Sequence, residues 1–103
     1  IASFQAAASN ADWKNAKGYY VVLTNQPGEA SWPITGASFI LIHKDQLDGA
    51  KAKELIKFFD WSYKNGGAAA QKLHYVPMPQ DVVALVEASW KSDLTSKQAS
   101  VWP

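Results

Sequence analysis

The sequence predicts a small α/β protein in which one or a few strands are packed by three to four helices. A continuous apolar run at 38–43 has the length of a strand and is too short for a normal helix. The segments 48–65 and 78–91 each repeat apolar residues at helical spacing. The composition, 48% hydrophobic and 18% charged over 103 residues, is that of one folded domain.

The first third of the chain combines one predicted helix with extended segments. Residues 1–16 are rich in alanine, which favours a helix, and residues 19–23 are β-branched and aromatic, which predicts a strand. The stretch 25–28 follows as a turn with proline before glycine. The ring of Pro33 holds the preceding Trp32 in an extended conformation, so an extended connector is predicted there.

Residues 38–43 are predicted to be the central strand, buried on both faces, because an uninterrupted apolar run is typical of a strand covered from both sides. The helices predicted on either side of it supply the rest of the core. The predicted core side chains are Phe39, Ile40, Leu41, Ile42, Leu55, Phe58, Phe59, Val83, Val86 and Trp90.

The second half of the chain predicts three helices. Apolar residues at i, i+3, i+4 and i+7 define a helix over 48–65, and Gly66 with Gly67 predicts a left-handed stop after it. A short helix is expected at 68–73. Pro79 in the first turn and Asp81 near the positive helix end begin a third helix, which runs to about Lys91. The polar tail is expected to be loosely attached.

Charge and composition exclude several classes of protein. The net charge is +1 and lysines alternate with acidic residues, so no nucleic-acid surface is predicted. The absence of cysteine excludes a disulfide scaffold, a thiolate zinc site and a cysteine nucleophile, but leaves the compartment open. No apolar run approaches the roughly 20 residues of a membrane span. The chain begins with Ile1 and lacks a basic leader, which predicts a processed or excised piece.

Few residues suggest catalysis or metal binding. His43, Asp45 and His74 have suitable ligand types but no motif spacing, and ordinary half-exposed imidazoles are the alternative, so neither a metal nor a cofactor is predicted. Ser38 follows a glycine without the second glycine and helix of a nucleophile elbow. The paired carboxylates lack surroundings that would separate their pKa values, so they are interpreted as surface charges.

Two further patterns each have two interpretations. The segment 65–68 has the glycines of a backbone anion nest, but a helix terminator explains the same glycines. The aromatic residues of the helix at 48–65, with Trp90 on another helix, fit packing between elements, and a sugar-stacking platform is the alternative.

Four blocks in fixed order give the chain a family resemblance. They are residues 23–29, 32–35, 39–46 and 58–66, and the likeness continues through 75–79 to 88–91. Together they resemble the periplasmic phosphate-binding protein of the bacterial ABC-type phosphate uptake system. The likeness covers roughly 10–92 and departs at 47–50 and 96–100.

The resemblance implies that the chain is the C-terminal third of a two-lobed periplasmic binding protein of type II fold. Residues 1–35 would then end the second lobe and return through a hinge at Trp32, Pro33 and Ile34, and residues 36–103 would form the C-terminal part of the first lobe. The family grips phosphate without metal, through backbone amides, hydroxyls, an arginine and a carboxylate. This chain has no arginine, and no phosphate-binding residue is expected within it.

The function implied by the resemblance is that of a periplasmic, non-enzymatic subunit that captures inorganic phosphate for an ABC permease. The alternative is a free-standing α/β interaction module without a small-molecule ligand. Whether the short chain is natural, proteolytic or engineered is left open by its sequence. Because unpaired strand edges tend to pair with other chains, self-association of this chain is also expected.

Overall fold

The computed structural model describes residues 1–103 and contains four α-helices and one small antiparallel sheet. The helices are α1 (Ala2–Asn10), α2 (Gly49–Asn65), α3 (Gly67–Lys72) and α4 (Gln80–Asp93), and a 3₁₀ turn (Lys17–Tyr19) follows α1. The sheet pairs β1 (Thr95–Ser96) with β2 (Ala99–Ser100). The chain is therefore α/β in composition, but both of its strands lie in the C-terminal tail.

The three predicted helices of the second half are confirmed to within about two residues at each end. Helix α2 begins after Asp48, whose carboxylate accepts a hydrogen bond from the backbone N–H of Lys51 at 3.0 Å. Helix α4 begins after Pro79 and carries Asp81 in its first turn. Helix α1 is shorter than predicted and ends at Asn10, where Ala11 turns to extended backbone.

The junction between α2 and α3 differs from the predicted left-handed stop. Gly66 has φ −82° and ψ −9°, which is right-handed, and its N–H donates to the carbonyl oxygen of Ser62 at 2.8 Å. A Cβ atom on Gly66 would lie 2.5 Å from that oxygen. The glycine is needed for a close approach of backbone to backbone, and not for a positive φ.

Two clusters of buried apolar residues form the core. The N-terminal cluster consists of Ala8, Ala11, Trp13, Leu23 and Val82. The C-terminal cluster consists of Ala52, Ile56, Trp90, Leu94 and Val101. Helix α4 contributes to both and joins the two halves of the chain.

Side chains of α1 reach the start of α4: Gln5 donates to the carbonyl oxygen of Pro77 at 3.1 Å, and Ser9 donates to Asp81 at 3.0 Å.

The predicted central strand is not formed. Residues 37–42, called here the open segment, adopt irregular backbone, and none of their backbone N–H or C=O groups hydrogen-bonds to another part of the chain. The strand predicted at 19–23 is also absent, since this stretch holds the end of the 3₁₀ turn and irregular backbone. The physical reason is the same: a strand needs a hydrogen-bonded neighbour, and β1 and β2 are the strands that pair in this chain. The two segments approach each other only through side chains, with the rings of Tyr20 and Phe39 6.4 Å apart.

Half of the predicted core residues are exposed, which corrects the sequence analysis. Within the open segment Phe39, Ile40 and Leu41 are exposed, Leu41 to 95%, because no sheet or helix covers them. On α2 the exposed residues are Leu55 and Phe58, because the helix turns a different stripe, with Ala52 and Ile56, toward α4. Of the other predicted core residues, Trp90 belongs to the C-terminal cluster and Ile42, Phe59 and Val86 pack against it, while Val83 is buried outside both clusters.

The tail is fixed to the body of the chain, contrary to the expected loose attachment. The β1–β2 hairpin returns the chain to α4, and the N–H of Val101 donates to the carbonyl oxygen of Leu94 at 3.0 Å. Val101 is buried, and the ring of Trp102 meets the ring of Trp90 edge-on at 5.9 Å. Apolar packing of Val101 and Trp102 therefore holds the short polar tail against the body of the chain.

The molecule exposes more surface than a compact protein of its mass. Its accessible surface is 7448 Å², whereas a folded monomer of this mass exposes about 5,700 Å². Its radius of gyration is 14.7 Å, against about 13 Å for a compact domain of this length. The exposed large apolar side chains include those of the open segment and of the outer face of α2.

Candidate functional site: the connector and the open segment

The connector predicted as a hinge lies between α1 and the turn at 25–28. The backbone N–H of Trp32 donates to the carbonyl oxygen of Ser3 at 3.0 Å, and its ring lies 6.1 Å from the ring of Phe4. The carbonyl oxygen of Pro33 accepts a hydrogen bond from the N–H of Asn25 at 2.9 Å. Backbone bonds thus tie the connector to segments on both sides.

The connector ends in a turn that leads to the open segment. The hydroxyl of Thr35 donates to the carbonyl oxygen of Trp32 at 2.8 Å, and Thr35 is the one buried polar residue of the chain. Ile34, between them, is exposed. The polar bond inside the turn fixes its shape while the apolar side chain of Ile34 points to solvent.

A cavity of about 390 Å³ lies between the open segment and the helices α2 and α4. Most of its lining is apolar, with Trp13, Phe59 and Trp90 among the larger side chains. The charged side chains at its edge are Lys44 and Asp93, whose Nζ and Oδ2 atoms lie 2.9 Å apart. The open segment is therefore held at its C-terminal end by an ion pair and stands away from the helices along much of its length.

Hydrogen bonding and burial shift the pKa of two side chains around the cavity. The hydrogen bond from Lys44 lowers the pKa of Asp93, and a second bond from Ser92 adds to the effect. Burial raises the pKa of Tyr63, and the negative charge of Glu87 raises it further. Neither shift places a group in the neutral range where general acids and bases operate.

Carboxylates accept backbone hydrogen bonds at the N-termini of α2 and α4. The N-terminus of α2 is occupied by the Asp48 carboxylate, and at the N-terminus of α4 the N–H of Val82 donates to Asp81. The glycine pair after α2 does not form a nest, because the N–H of Gly66 is bonded to Ser62. A carboxylate at a helix N-terminus takes the place that an anion would occupy there, and the chain contains no arginine.

The two histidines lie apart from any metal-binding group. No three or more histidine, aspartate or glutamate side chains are close enough to hold a metal ion. His43 and His74 are both exposed, the first beside the open segment and the second after α3. None of the four α-helices has the length and apolarity that crossing a lipid bilayer requires.

Comparison with known proteins shows to which family the chain is related. The chain is 53% identical over 91 residues to the phosphate-binding protein PstS of Xylella fastidiosa strain 9a5c. It is 46% identical over 101 residues to that of Pasteurella multocida and 49% identical over 92 residues to that of Haemophilus influenzae. The chain belongs to the PstS family. These alignments cover 88%, 97% and 89% of the chain, and the resemblance found from sequence blocks is confirmed.

The chain spans only part of a PstS protein. The aligned residues make up 25%, 29% and 28% of the lengths of these three relatives. No protein-family model matches the chain. Most of the polypeptide of a PstS protein therefore lies outside the segment that this chain matches. The exposed apolar surface of the chain has to be interpreted together with that remaining polypeptide.

Proposed function

We propose that this chain is the C-terminal part of the phosphate-binding subunit of an ABC-type phosphate import system, which captures inorganic phosphate for the membrane permease. The observation that carries the proposal is the identity of 46–53% to PstS proteins over 88–97% of the chain. The relatives are named as binding proteins, which supports a non-enzymatic role in the periplasm.

In this proposal the chain belongs to a two-lobed binding protein of type II fold. Residues 1–35 end the second lobe and return through a hinge at Trp32, Pro33 and Ile34, and residues 36–103 complete the first lobe. The backbone bonds of the connector to Ser3 and Asn25 support this role. Hinges concentrate backbone change in a few residues between elements whose own structure is preserved.

The chain supplies the frame of the binding cleft and not the groups that grip phosphate. Carboxylates at the N-termini of α2 and α4 repel an anion. Tight capture needs convergent, preset donors, each charge-assisted bond contributing roughly 1.5–3 kcal/mol. We therefore expect the phosphate contacts to come from the remaining part of the protein.

Isothermal titration with phosphate tests the proposal on two proteins. One is this chain alone, and the other is the Haemophilus influenzae PstS in which the homologous segment is replaced by this chain. We expect no binding up to millimolar phosphate for the first and micromolar or tighter binding for the second. Micromolar binding by the chain alone would show that the contacts lie within it.

The alternative, a free-standing interaction module, makes the opposite prediction for the hybrid protein. If the hybrid folds, as judged by a cooperative thermal transition, and does not bind phosphate while the unmodified relative does, this chain has lost the architecture of the family. That result would overturn the proposed function and favour the module.

A further inference from the structure

We propose that Asn65 is a site of spontaneous deamidation, and that the last turn of helix α2 controls how fast the reaction runs. The substrate is the side-chain amide of Asn65, and the co-reactant is water. The inference concerns the covalent chemistry of the chain itself, so it goes beyond the proposed function and does not depend on it.

The sequence places one asparagine directly before a glycine. Gly66 follows Asn65, whereas alanine or glutamine follows the other asparagines, which are Asn10, Asn15 and Asn25. Glycine has no Cβ atom, so its backbone nitrogen can approach the preceding side chain with little steric hindrance. This pair is therefore the position in the chain where an asparagine side chain and a backbone nitrogen react most readily.

The reaction balances with water alone. The backbone nitrogen of Gly66 gives up its proton and attacks the Cγ atom of Asn65, which forms a new N–Cγ bond. The bond between Cγ and Nδ2 breaks, and the amide nitrogen takes up a proton and leaves as ammonia. Water then opens the resulting cyclic imide at either of its carbonyl groups. One opening gives aspartate, and the other gives isoaspartate, in which the backbone runs through the side chain.

In the folded chain both reacting groups are hydrogen-bonded within the last turn of α2. The N–H of Gly66 donates to the carbonyl oxygen of Ser62 at 2.8 Å, so its proton is not free to leave. The Nδ2 atom of Asn65 donates to the carbonyl oxygen of Trp61 at 3.1 Å, which holds the amide against the preceding turn. Attack on the side chain therefore requires this turn to open.

Opening of this turn is a local event. Asn65 is exposed and is the last residue of α2, and the end of a helix opens at a much lower cost in free energy than the whole fold. The ion pair that spans the turn, between Lys64 and Asp60 at 2.7 Å, is at the surface and adds little to its stability. We therefore expect the rate of deamidation to follow the fraying of this helix end.

The product changes the junction between α2 and α3. A carboxylate at position 65 adds negative charge at the C-terminal end of α2, where the helix dipole favours a positive charge. Isoaspartate also lengthens the backbone by one methylene group before Gly66, which displaces the N–H that bonds to Ser62. Deamidation therefore weakens the turn that restrained it.

Ageing of the purified chain at slightly alkaline pH, followed by peptide mass spectrometry, tests the proposal. A short peptide with the sequence of residues 63–67 gives the rate without a helix. We expect Asn65 to deamidate before the other asparagines, at least tenfold more slowly in the folded chain than in the peptide, and at the rate of the peptide in urea. A folded chain that reacts as fast as the peptide, an Asn65 that stays intact in urea, or earlier reaction of another asparagine would overturn the proposal.

Two glycine substitutions separate local opening from unfolding of the whole chain. Ser62→Gly lies in the last turn of α2 and Ala84→Gly at an exposed position of α4, and glycine disfavours a helix at both. We expect Ser62→Gly to speed both the deamidation of Asn65 and the hydrogen exchange of the Gly66 amide at least threefold. Ala84→Gly should leave both rates unchanged. Equal acceleration by the two variants, or no acceleration by either, would contradict control by the last turn.

A variant that carries the charge of the product tests the effect on the junction. Asn65→Asp should lower the midpoint of thermal unfolding relative to Asn65→Gln, which keeps a neutral amide and cannot form the same imide. Equal midpoints would show that the charge of the product leaves the end of α2 unaffected.

Discussion

Neighbouring residues on α2 test which face of the helix is buried. Ile56 is fully buried in the C-terminal cluster, whereas Leu55, which the sequence analysis placed in the core, is exposed. Ile56→Ala should lower the free energy of unfolding by about 2–5 kcal/mol, through lost transfer energy and the cavity left behind. Leu55→Ala should change it by less than about 0.5 kcal/mol. Urea denaturation of both variants measures the difference, and equal losses would contradict the orientation of α2.

The ion pair at the end of the open segment predicts a pH dependence. The pKa of Asp93 is lowered in the folded chain, so its negative charge stabilises the folded chain at pH values above the ordinary carboxyl pKa. This stabilisation is lost as the pH falls through the lowered pKa. Both side chains are exposed, so screening limits the pair to below about 1 kcal/mol. Asp93→Asn should reduce the free energy of unfolding at pH 7, and the deficit should disappear in acid.

A double-mutant cycle with Lys44→Met isolates the pair. If Lys44 and Asp93 stabilise the chain through each other, the two single changes should cost similar amounts at pH 7 and the double change little more than either. Additive losses would show that each side chain acts through other contacts, such as the bond between Ser92 and Asp93.

At the level of secondary structure, the helices were predictable and the strands were not. Helical periodicity, the cap at Asp48 and the proline at position 79 are local features, and α2, α3 and α4 follow them closely. A strand depends on a neighbour that can be far away in sequence, so the apolar run at 37–42 remains irregular when none is present. The same reason explains why its predicted burial is wrong here.

The glycine pair between α2 and α3 provides a matched test of close packing. Gly66→Ala would place a Cβ 2.5 Å from the Ser62 carbonyl oxygen, whereas at Gly67 the nearest atom belongs to Pro77 at 3.6 Å, an ordinary contact. We expect Gly66→Ala to cost about 1–3 kcal/mol through forced backbone movement. Gly67→Ala should be neutral or slightly stabilising, because alanine favours a helix. Thermal unfolding compares them, and equal midpoints would refute the close approach.

The β1–β2 hairpin contains a turn whose residues are unfavourable for its backbone. Lys97 and Gln98 have φ values of 51° and 67°, as in a type I′ turn, which favours asparagine followed by glycine. Gln98→Gly should raise stability by about 0.5–1 kcal/mol, since a Cβ in left-handed backbone is costly. Calorimetry should show a higher melting temperature for Gln98→Gly and no gain for Gln98→Ala.

For the whole molecule, the large native surface predicts a weak response to denaturant. The m value scales with the surface newly exposed on unfolding, and this chain already exposes about 1,700 Å² more than expected for its mass. We therefore expect a urea m value below that of compact domains of about 100 residues. In the hybrid with the Haemophilus influenzae PstS this segment should unfold with a steeper dependence. A free chain with an ordinary m value would indicate that it is more compact in solution.

The family could be identified from sequence blocks, but the candidate site could not be located that way. The blocks 23–29, 39–46 and 58–66 are local, and the relatives confirm what they indicate. The hinge at Trp32, Pro33 and Ile34 stays a prediction, because hinge motion is a property of two lobes and most of the polypeptide of a PstS protein lies outside this chain. The exposed outer face of α2 was missed because its apolar residues Leu55 and Phe58 suggested a core.

The bonds between α1 and the start of α4 have a consequence for the order in which the chain folds. They join residues 72 positions apart, whereas the C-terminal cluster is made within the second half of the chain. Closing the longer loop costs more entropy, so the second half should assemble first and α1 should dock last. During synthesis α1 leaves the ribosome before α4, so the bonds between them form only after α4 has been made.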